Sequence, residues 1–272
     1  MKTAEINEEE LRQLTAKVVA ISTETGAWMR DQVIDESTAE IKSHNNLVTF
    51  VDHESERRFI ELLTPLIPGA HFIAEETQQN NAPVGFNWVI DPLDGTTNFV
   101  HGVPIWCTSV ALCIDSTPVS GVIFDPNSGE CFHGYQGGGA FCGTERIHVS
   151  GLSSLSQALL ATGFPYHDFG RQIEYLELFK QLMKDSRGMR RLGSAALDMA
   201  WVANGRFEGF YEYGLSPWDV AAGTLLVREA GGMVTAFHDN GDPVFGRDIL
   251  ATNGRTHGEM LNVIRRHFRE QN

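Results

Sequence analysis

Trp88-Val89-Ile90-Asp91-Pro92-Leu93-Asp94-Gly95-Thr96-Thr97-Asn98-Phe99 runs an apolar strand into a pair of aspartates and then into a Gly-Thr-Thr turn. Asp91 and Asp94 offer hard carboxylate oxygens, the donors that Mg²⁺ and Ca²⁺ take. Gly95 has no Cβ, so the chain can bend there and aim the following N–H groups at an anion at a helix start. Pro92, Gly95 and the paired threonines restrict the backbone around two carboxylates, more than an ordinary surface turn requires. The segment therefore reads as a site for metal ions and a phosphate.

Outward from it, other acids follow apolar runs. Val48-Thr49-Phe50-Val51 reads as a short strand ending at Asp52, and His71-Phe72-Ile73-Ala74 as another ending at Glu75-Glu76. Strand ends in α/β sheets are where sites gather. Asp219 sits in Ser216-Pro217-Trp218-Asp219-Val220-Ala221-Ala222-Gly223, where Pro217 suits a first helical turn. Each acid has an ordinary reading beside the functional one. Asp52 and Asp219 fit caps, and Glu75-Glu76 fits a solvated face.

Leu11, Leu14, Val18, Ile21 and Trp28 predict a helix from about Glu8 to Val33, and Phe59, Leu62, Leu63 and Leu66 a second that stops by Pro68-Gly69. Thr108 to Ile114, Val119 to Phe124 and Cys131 to Tyr135 predict an antiparallel meander. From Ala158 onward strands and helices alternate, in an α/β manner. Helices are predicted at Gln172 to Lys184, Ser194 to Asn204, Trp218 to Ala230 and Thr256 to Arg269, and strands at Ala158 to Thr162, Phe207 to Tyr213, Met233 to Phe237 and Ile249 to Thr252.

With 272 residues and 42% apolar content, residues 1–272 can form a single domain with an N-terminal lobe of about 1–150 and a C-terminal lobe of about 151–272. A formal charge of -14 argues against a broad nucleic-acid or anionic-membrane surface. An anionic small molecule is compatible with that charge if cations invert the local field. No run is apolar and long enough to span a bilayer, and the acidic start carries no signal pattern. Cys107, Cys113, Cys131 and Cys142 have no CxxC pairing, which points to a reduced, cytoplasmic setting.

Three segments in order now carry a family resemblance: Asp91 to Phe99, the upstream Ala74-Glu75-Glu76-Thr77, and the downstream Trp218 to Gly223. Together they resemble the signatures of the inositol monophosphatase family. Val48-Thr49 through Asp52 and Glu56 resembles its early motif, and Gly193-Ser194-Ala195-Ala196 followed by Val202-Ala203-Asn204-Gly205 its second-half helix. The resemblance covers nearly the whole chain. It implies a layered α/β/α/β/α sandwich, commonly a homodimer, and a lithium-sensitive, Mg²⁺-dependent phosphomonoesterase holding two to three ions.

By that resemblance Glu75, Asp91 and the Leu93 carbonyl would hold one metal, and Asp91, Asp94 and Asp219 a second; Glu75 would also anchor a third through water. The donor set agrees, since oxygen ligands without a convergent His or Cys pattern favour Mg²⁺ over Zn²⁺. Thr96, polarised by Asp52, would orient or deprotonate the attacking water, activated by the metal, while the N–H groups of Gly95 and Thr96 cradle the phosphate. Asp94, Gly193, Ala195 and Glu212 match substrate contacts of the family, although Glu212 also reads as a surface glutamate. Lys42 resembles a lysine on the family's mobile loop, or is a solvated side chain.

The leading substrate is inositol-1-phosphate, because relatives acting on adenosine 3′,5′-bisphosphate or histidinol phosphate often carry Lys at the Thr97 position. Broader sugar and polyol phosphates, including fructose 1,6-bisphosphate, stay open. A phosphoaspartate mechanism wants Asp-x-Asp near the chain start, whereas the spacing here is Asp-x-x-Asp in mid-chain. A non-enzymatic role is the other rival, since some bacterial relatives assist RNA or ribosome-related machinery.

Other motifs carry less. Gly137-Gly138-Gly139 lacks the GxGxxG spacing and reads as a flexible or tight loop. Asp239-Asn240-Gly241-Asp242 reads as a hairpin turn between strands. Arg265, Arg266 and Arg269 read as partners of the last helix dipole.

Overall fold

Asn7 starts the first helix, α1 (Glu8–Arg30), through a reciprocal capping box with Glu10, and three glutamates in the first turn favour the same end. This computed structural model describes residues 6–32, 40–43, 46–77, 84–164 and 169–268. A two-stranded ribbon, β1 (Glu40–Ser43) with β2 (Asn46–Val48), leads into α2 (Phe50–Leu63). Here the sequence reading is corrected. Thr49 caps α2 and Asp52 is its third helical residue, because the Thr49/Asp52 capping box outweighs the β-propensity of Val48 and Val51. Leu62 is likewise exposed on α2 rather than part of the face that buries Phe59 and Leu63.

A seven-stranded sheet follows, in the order β3 (His71–Ala74), β4 (Phe86–Asp94), β5 (Cys107–Ile114), β6 (Thr117–Asp125), β7 (Glu130–Tyr135), β8 (Gly139–Cys142), β9 (Glu145–Arg146). Only the β3/β4 pair in it is parallel. The short α3 (Thr96–Val100) leaves the end of β4. The second sheet runs β11 (Gly188–Arg190), β10 (Leu159–Thr162), β12 (Gly209–Tyr213), β14 (Asp248–Thr252), β13 (Met233–Thr235). Its first three strands are parallel, which their long helical crossovers allow, and its last two join antiparallel.

The helices complete five layers. α1 and α2 cover the outer face of the first sheet around Trp88, Ile90 and Phe59. α5 (Ala195–Ala203) and α6 (Pro217–Glu229) lie between the sheets, and α4 (Gln172–Asp185) and α7 (His257–His267) close the outer face of the second. The layered α/β/α/β/α sandwich is thus the fold. Burial of a side chain such as Trp88 or Phe59, each fully enclosed, contributes roughly 2–3 kcal/mol.

The central helices sit unusually close to their neighbours. A Cβ on Gly121 of β6 would stand 3.1 Å from the Ala222 Cα, and one on Gly223 would stand 2.6 Å from the Met199 Cβ. Small residues along α6 therefore set how deep its first turn lies.

Among the described residues no helix is long and apolar enough to cross a membrane. The four cysteines are all free thiols in strands. Residues 236–247 join β13 to β14 as a longer connection with Asn240 left-handed, rather than as the two-residue hairpin its Asn-Gly suggests. Arg265 binds the Phe237 carbonyl at 3.1 Å and Asp239 at 2.6 Å, a more specific role than complementing a helix end; Arg269 lies outside the described residues.

Candidate active site

β4 keeps register with β5 as far as Asp91 and regains it at Asp94. The break accommodates Pro92, which has no N–H for a ladder, and lets both aspartates turn inward. Asp91 is buried, and its Oδ1 accepts the Leu93 N–H at 3.0 Å. Asp94 reaches the start of α5, where its Oδ2 accepts the Ser194 hydroxyl and the Ala196 N–H, each at 2.7 Å. The Ala195 N–H also donates to this carboxylate.

Asp219 arrives from the opposite direction on the first turn of α6, where its Oδ2 accepts the Ser216 N–H at 2.7 Å. Its carboxyl is hydrogen-bonded to that of Asp91. Glu75 follows β3, whose Ala74 pairs with Ile90 of the parallel β4, so Glu75 stands beside Asp91. The turn carrying Glu75 is held by Glu56, a buried α2 carboxylate that accepts the N–H groups of Glu76 at 2.7 Å and Thr77 at 2.9 Å. Glu75, Asp91, Asp94 and Asp219 thus come together from separate elements.

Their electrostatics record the crowding. Burial, then the charges of Glu75, Asp94 and Asp219, push the Asp91 carboxyl well above the usual carboxylate range. Burial and the Asp94 charge raise Asp219 to about 7. Burial raises Asp94 to about 6 against the opposing pull of its Ser194, Ala196 and Ala195 hydrogen bonds and of Arg191. Such a group is stable as carboxylates only beside positive charge, or with protons shared between them. Among the described residues no three acidic, histidine or cysteine side chains already close around one point as a finished cage. The donors themselves, all oxygen and strongly negative, fit a hard divalent cation.

Beside the acids, Asp52 Oδ1 accepts the Thr96 hydroxyl at 2.9 Å, while its Oδ2 is held by the Thr49 N–H at 2.7 Å and the Thr49 hydroxyl at 2.6 Å. Thr96 Oγ1 also lies 3.1 Å from the Leu93 carbonyl. Asp52, fully buried, is therefore fixed as an acceptor for Thr96. Gly95, the N-cap of α3, is left-handed at φ 102°, and a Cβ there would lie 3.0 Å from the Ile105 carbonyl oxygen and 3.2 Å from that of Gly193. Glycine is required twice over, by conformation and by space.

Gly193 and Ala195 lie in this same neighbourhood, at Gly95 and at Asp94 respectively. Glu212 is no surface glutamate. It is buried on β12, raised well above the usual range by burial and the Asp219 charge, and packs on Gly163, where a Cβ would fall 2.0 Å from its Oε2. Lys42 belongs to β1, and its side chain lies outside what is described. Sequence reasoning gave no role to Glu56, Ser194, Arg191 or the buried Asp198 of α5, which feels the charges of Glu212 and Asp94. Glu56 had a visible signal: it follows Asp52 by one helical turn, so both acids share the buried face of α2.

Comparison with known proteins places this arrangement. A model of the inositol monophosphatase family matches residues 10–270. A Rhizobium meliloti protein named inositol-1-monophosphatase is 39% identical over 83% of this chain and 85% of its own length. A Pseudomonas aeruginosa protein named Nus factor SuhB is 40% identical over 84% of this chain and 86% of its own. The solved inositol monophosphatase of Anabaena (Nostoc) sp. superposes with a TM-score of 0.81 at 37% identity, covering 94% of this chain and 96% of that one.

Proposed function

Because this chain belongs to the inositol monophosphatase family, we propose that it is a Mg²⁺-dependent phosphomonoesterase that hydrolyses inositol-1-phosphate to inositol and phosphate. The observation that carries the reading is the gathering of Glu75, Asp91, Asp94 and Asp219 into one mutually repelling group beside the Thr96–Asp52 pair. In this reading Glu75, Asp91 and the Leu93 carbonyl hold one ion, Asp91, Asp94 and Asp219 a second, and Glu75 supports a third. The chemistry such ions supply is Lewis acidity, which lowers the pKa of water and offsets charge on phosphoryl oxygens.

The chain's own groups do the rest. With its proton given to Asp52, the Thr96 hydroxyl has lone pairs free to accept from the attacking water, so a proton can pass from water through Thr96 to Asp52. The first N–H groups of α3, from Gly95 and Thr96, have no partner within the helix and face the phosphate. Asp94, Gly193, Ala195 and Glu212 line the leaving-group side, where two carboxylates suit the hydroxyls of a polyol. A homodimer in the cytoplasm belongs to the same reading, supported for its setting by the four unpaired thiols.

The test is a phosphate-release panel over inositol, fructose, histidinol and nucleotide 3′-phosphates, with Mg²⁺ present and then chelated. Inositol-1-phosphate should turn over fastest and only with the metal, and Asp94→Asn should abolish turnover while the protein stays folded. Wild-type turnover by Asp94→Asn would refute the assignment. Preference for fructose 1,6-bisphosphate or another sugar phosphate would keep the chemistry and replace the substrate.

A second reading is a binding role like the one for which the Pseudomonas aeruginosa relative is named, carried by its 40% identity. An Asp94→Asn gene that rescues a deletion strain as well as wild type does would place the biology there.

A further inference from the structure

At the edge of the second sheet a cleft of about 340 Å³ is lined by Arg187, Arg190 and Arg206 together with Gln157, Leu152 and Leu159. It gathers three guanidinium groups on a chain whose formal charge is -14. The three are not equivalent. Arg206 is clamped by both oxygens of Glu130 and lies over the Trp201 ring at 5.4 Å, which fixes it as a rigid wall. Arg187 makes no side-chain hydrogen bond or ion pair to any described residue. Arg190 gives one N–H to the Met189 carbonyl at 2.9 Å and has no acidic partner among the described residues. Its guanidinium folds back over Gly188, where a Cβ would lie 3.6 Å from Nη1. The one carboxylate in the lining, Glu208, is spent on the Ser150 hydroxyl at 2.8 Å and the Leu159 N–H at 2.7 Å. Two positive charges are therefore left for an incoming anion.

The cleft belongs to the opposite end of the sheet from the acidic cluster. Gln157 precedes β10 and Leu159 starts it, Gly188 starts β11 and Glu208 precedes β12, all three strands being parallel, while Arg190 ends β11 and reaches the cleft because its side chain folds back over Gly188. Gly163, Arg191 to Gly193 and Glu212, the groups of the candidate active site, sit at the far ends of the same strands. Four strand residues separate the two by about 13 Å.

We propose that this cleft is a second, non-catalytic site for a small molecule carrying a diphosphate, in the size class of a nucleoside diphosphate. Guanidinium groups suit phosphate because their planar N–H pairs bind its oxygens bidentately. Two uncommitted arginines match two phosphoryl groups, and Leu152 and Leu159 offer apolar walls for the organic body. The volume falls at the lower end of the range for small-molecule sites. Arginines on an exposed edge strand also discourage strand pairing, and that role alone would bind no ligand.

Calorimetry in chelator separates these roles, because without divalent cations the acidic cluster repels anions and any binding must lie elsewhere. Inorganic pyrophosphate and ADP are titrated into wild type, Arg187→Ala, Arg190→Ala and the double variant. One saturable site per chain is expected in wild type, with ADP tighter than pyrophosphate through the apolar walls. Each single variant should weaken binding at least tenfold and the double variant should abolish it, with Mg²⁺-dependent phosphatase activity and the unfolding midpoint unchanged. Arg187→Lys should recover part of the lost affinity. The proposal is overturned if wild type shows no saturable binding in chelator, if the double variant binds as wild type does, or if only an acidic peptide binds. None of these outcomes bears on catalysis at the acidic cluster.

Discussion

Replacing Asp219 with Asn should stabilise the metal-free protein while removing its response to Mg²⁺. Asp219 is raised from an ordinary 3.8 to about 7 by burial and by the charge of Asp94. A folded-state pKa above the unfolded one means that the ionised form is penalised on folding. The penalty is absent below pH 3.8, grows through the interval to pH 7, and is fully present above it. A shift of about three units corresponds to a ceiling of about 4 kcal/mol, and sharing of protons with Asp91 brings the expected gain to about 2–4 kcal/mol. Asn keeps an oxygen for the Ser216 N–H and gains an N–H for Asp91, so the helix cap and the carboxyl contact both survive. At pH 7.5 in chelator, Asp219→Asn should unfold roughly 5–10 °C above wild type. Added Mg²⁺ at a hundred times its dissociation constant should raise wild type by about 2.7 kcal/mol and the variant by far less. Thermal melts with and without chelator, beside phosphate release, read all three quantities. A natively folded variant that melts at or below wild type in chelator, or that gains equally from Mg²⁺, would refute the electrostatic reasoning.

Thr96→Val should lower turnover by about 10²–10³-fold with the melting point within a few degrees of wild type, whereas Thr96→Ser should retain most activity; equal losses in both would remove Thr96 from proton transfer. Gly163→Ala forces a methyl into the Glu212 carboxylate and should cost about 1–3 kcal/mol while raising KM for the polyol ester, measured by denaturation and steady-state kinetics. Glu56→Gln should loosen the Glu76 and Thr77 turn and weaken Mg²⁺ affinity several-fold without affecting the folded core, as read by metal titration. His257, buried between Thr235 and Thr252 and lowered by burial to about 4, is neutral in the folded protein and charged in the unfolded chain below pH 6.5. Wild type should therefore lose stability as pH falls from 6.5 towards 4, by about 1–2 kcal/mol more than His257→Gln between pH 7 and 5, and parallel pH curves for the two would contradict this.

The Asp91 to Phe99 segment was legible because Pro and Gly constrain the backbone wherever they stand, whatever the tertiary surroundings. Long periodic segments such as α1 and the β5–β7 meander were legible for the same reason of redundancy: many residues state one pattern. Asp52 was misplaced onto a strand end because Val48 and Val51 carry β-propensity, while a two-residue capping signal decided the helix start. Glu212 could not be distinguished from a surface glutamate, since its burial depends on Gly163, just past the end of β10, and contact between separate elements leaves no local trace. Glu56 and Ser194 act through backbone N–H groups and a neighbouring carboxylate, roles that sequence spacing suggests only once the tertiary partner is known.

Gly121 and Gly223 have a reach beyond their own contacts. α6 carries Asp219 on its first turn and the tight approach to β6 and α5 farther along its length, so the helix behaves as a rod whose tip is an acid of the proposed metal site. A single added carbon at either glycine must tilt or lift that rod, and the displacement is delivered undiminished to its tip. Inactivating substitutions should then gather along an inert-looking seam of Gly and Ala as well as around the acids, and a lost response to Mg²⁺ in such variants would mark a lever moved rather than a ligand removed.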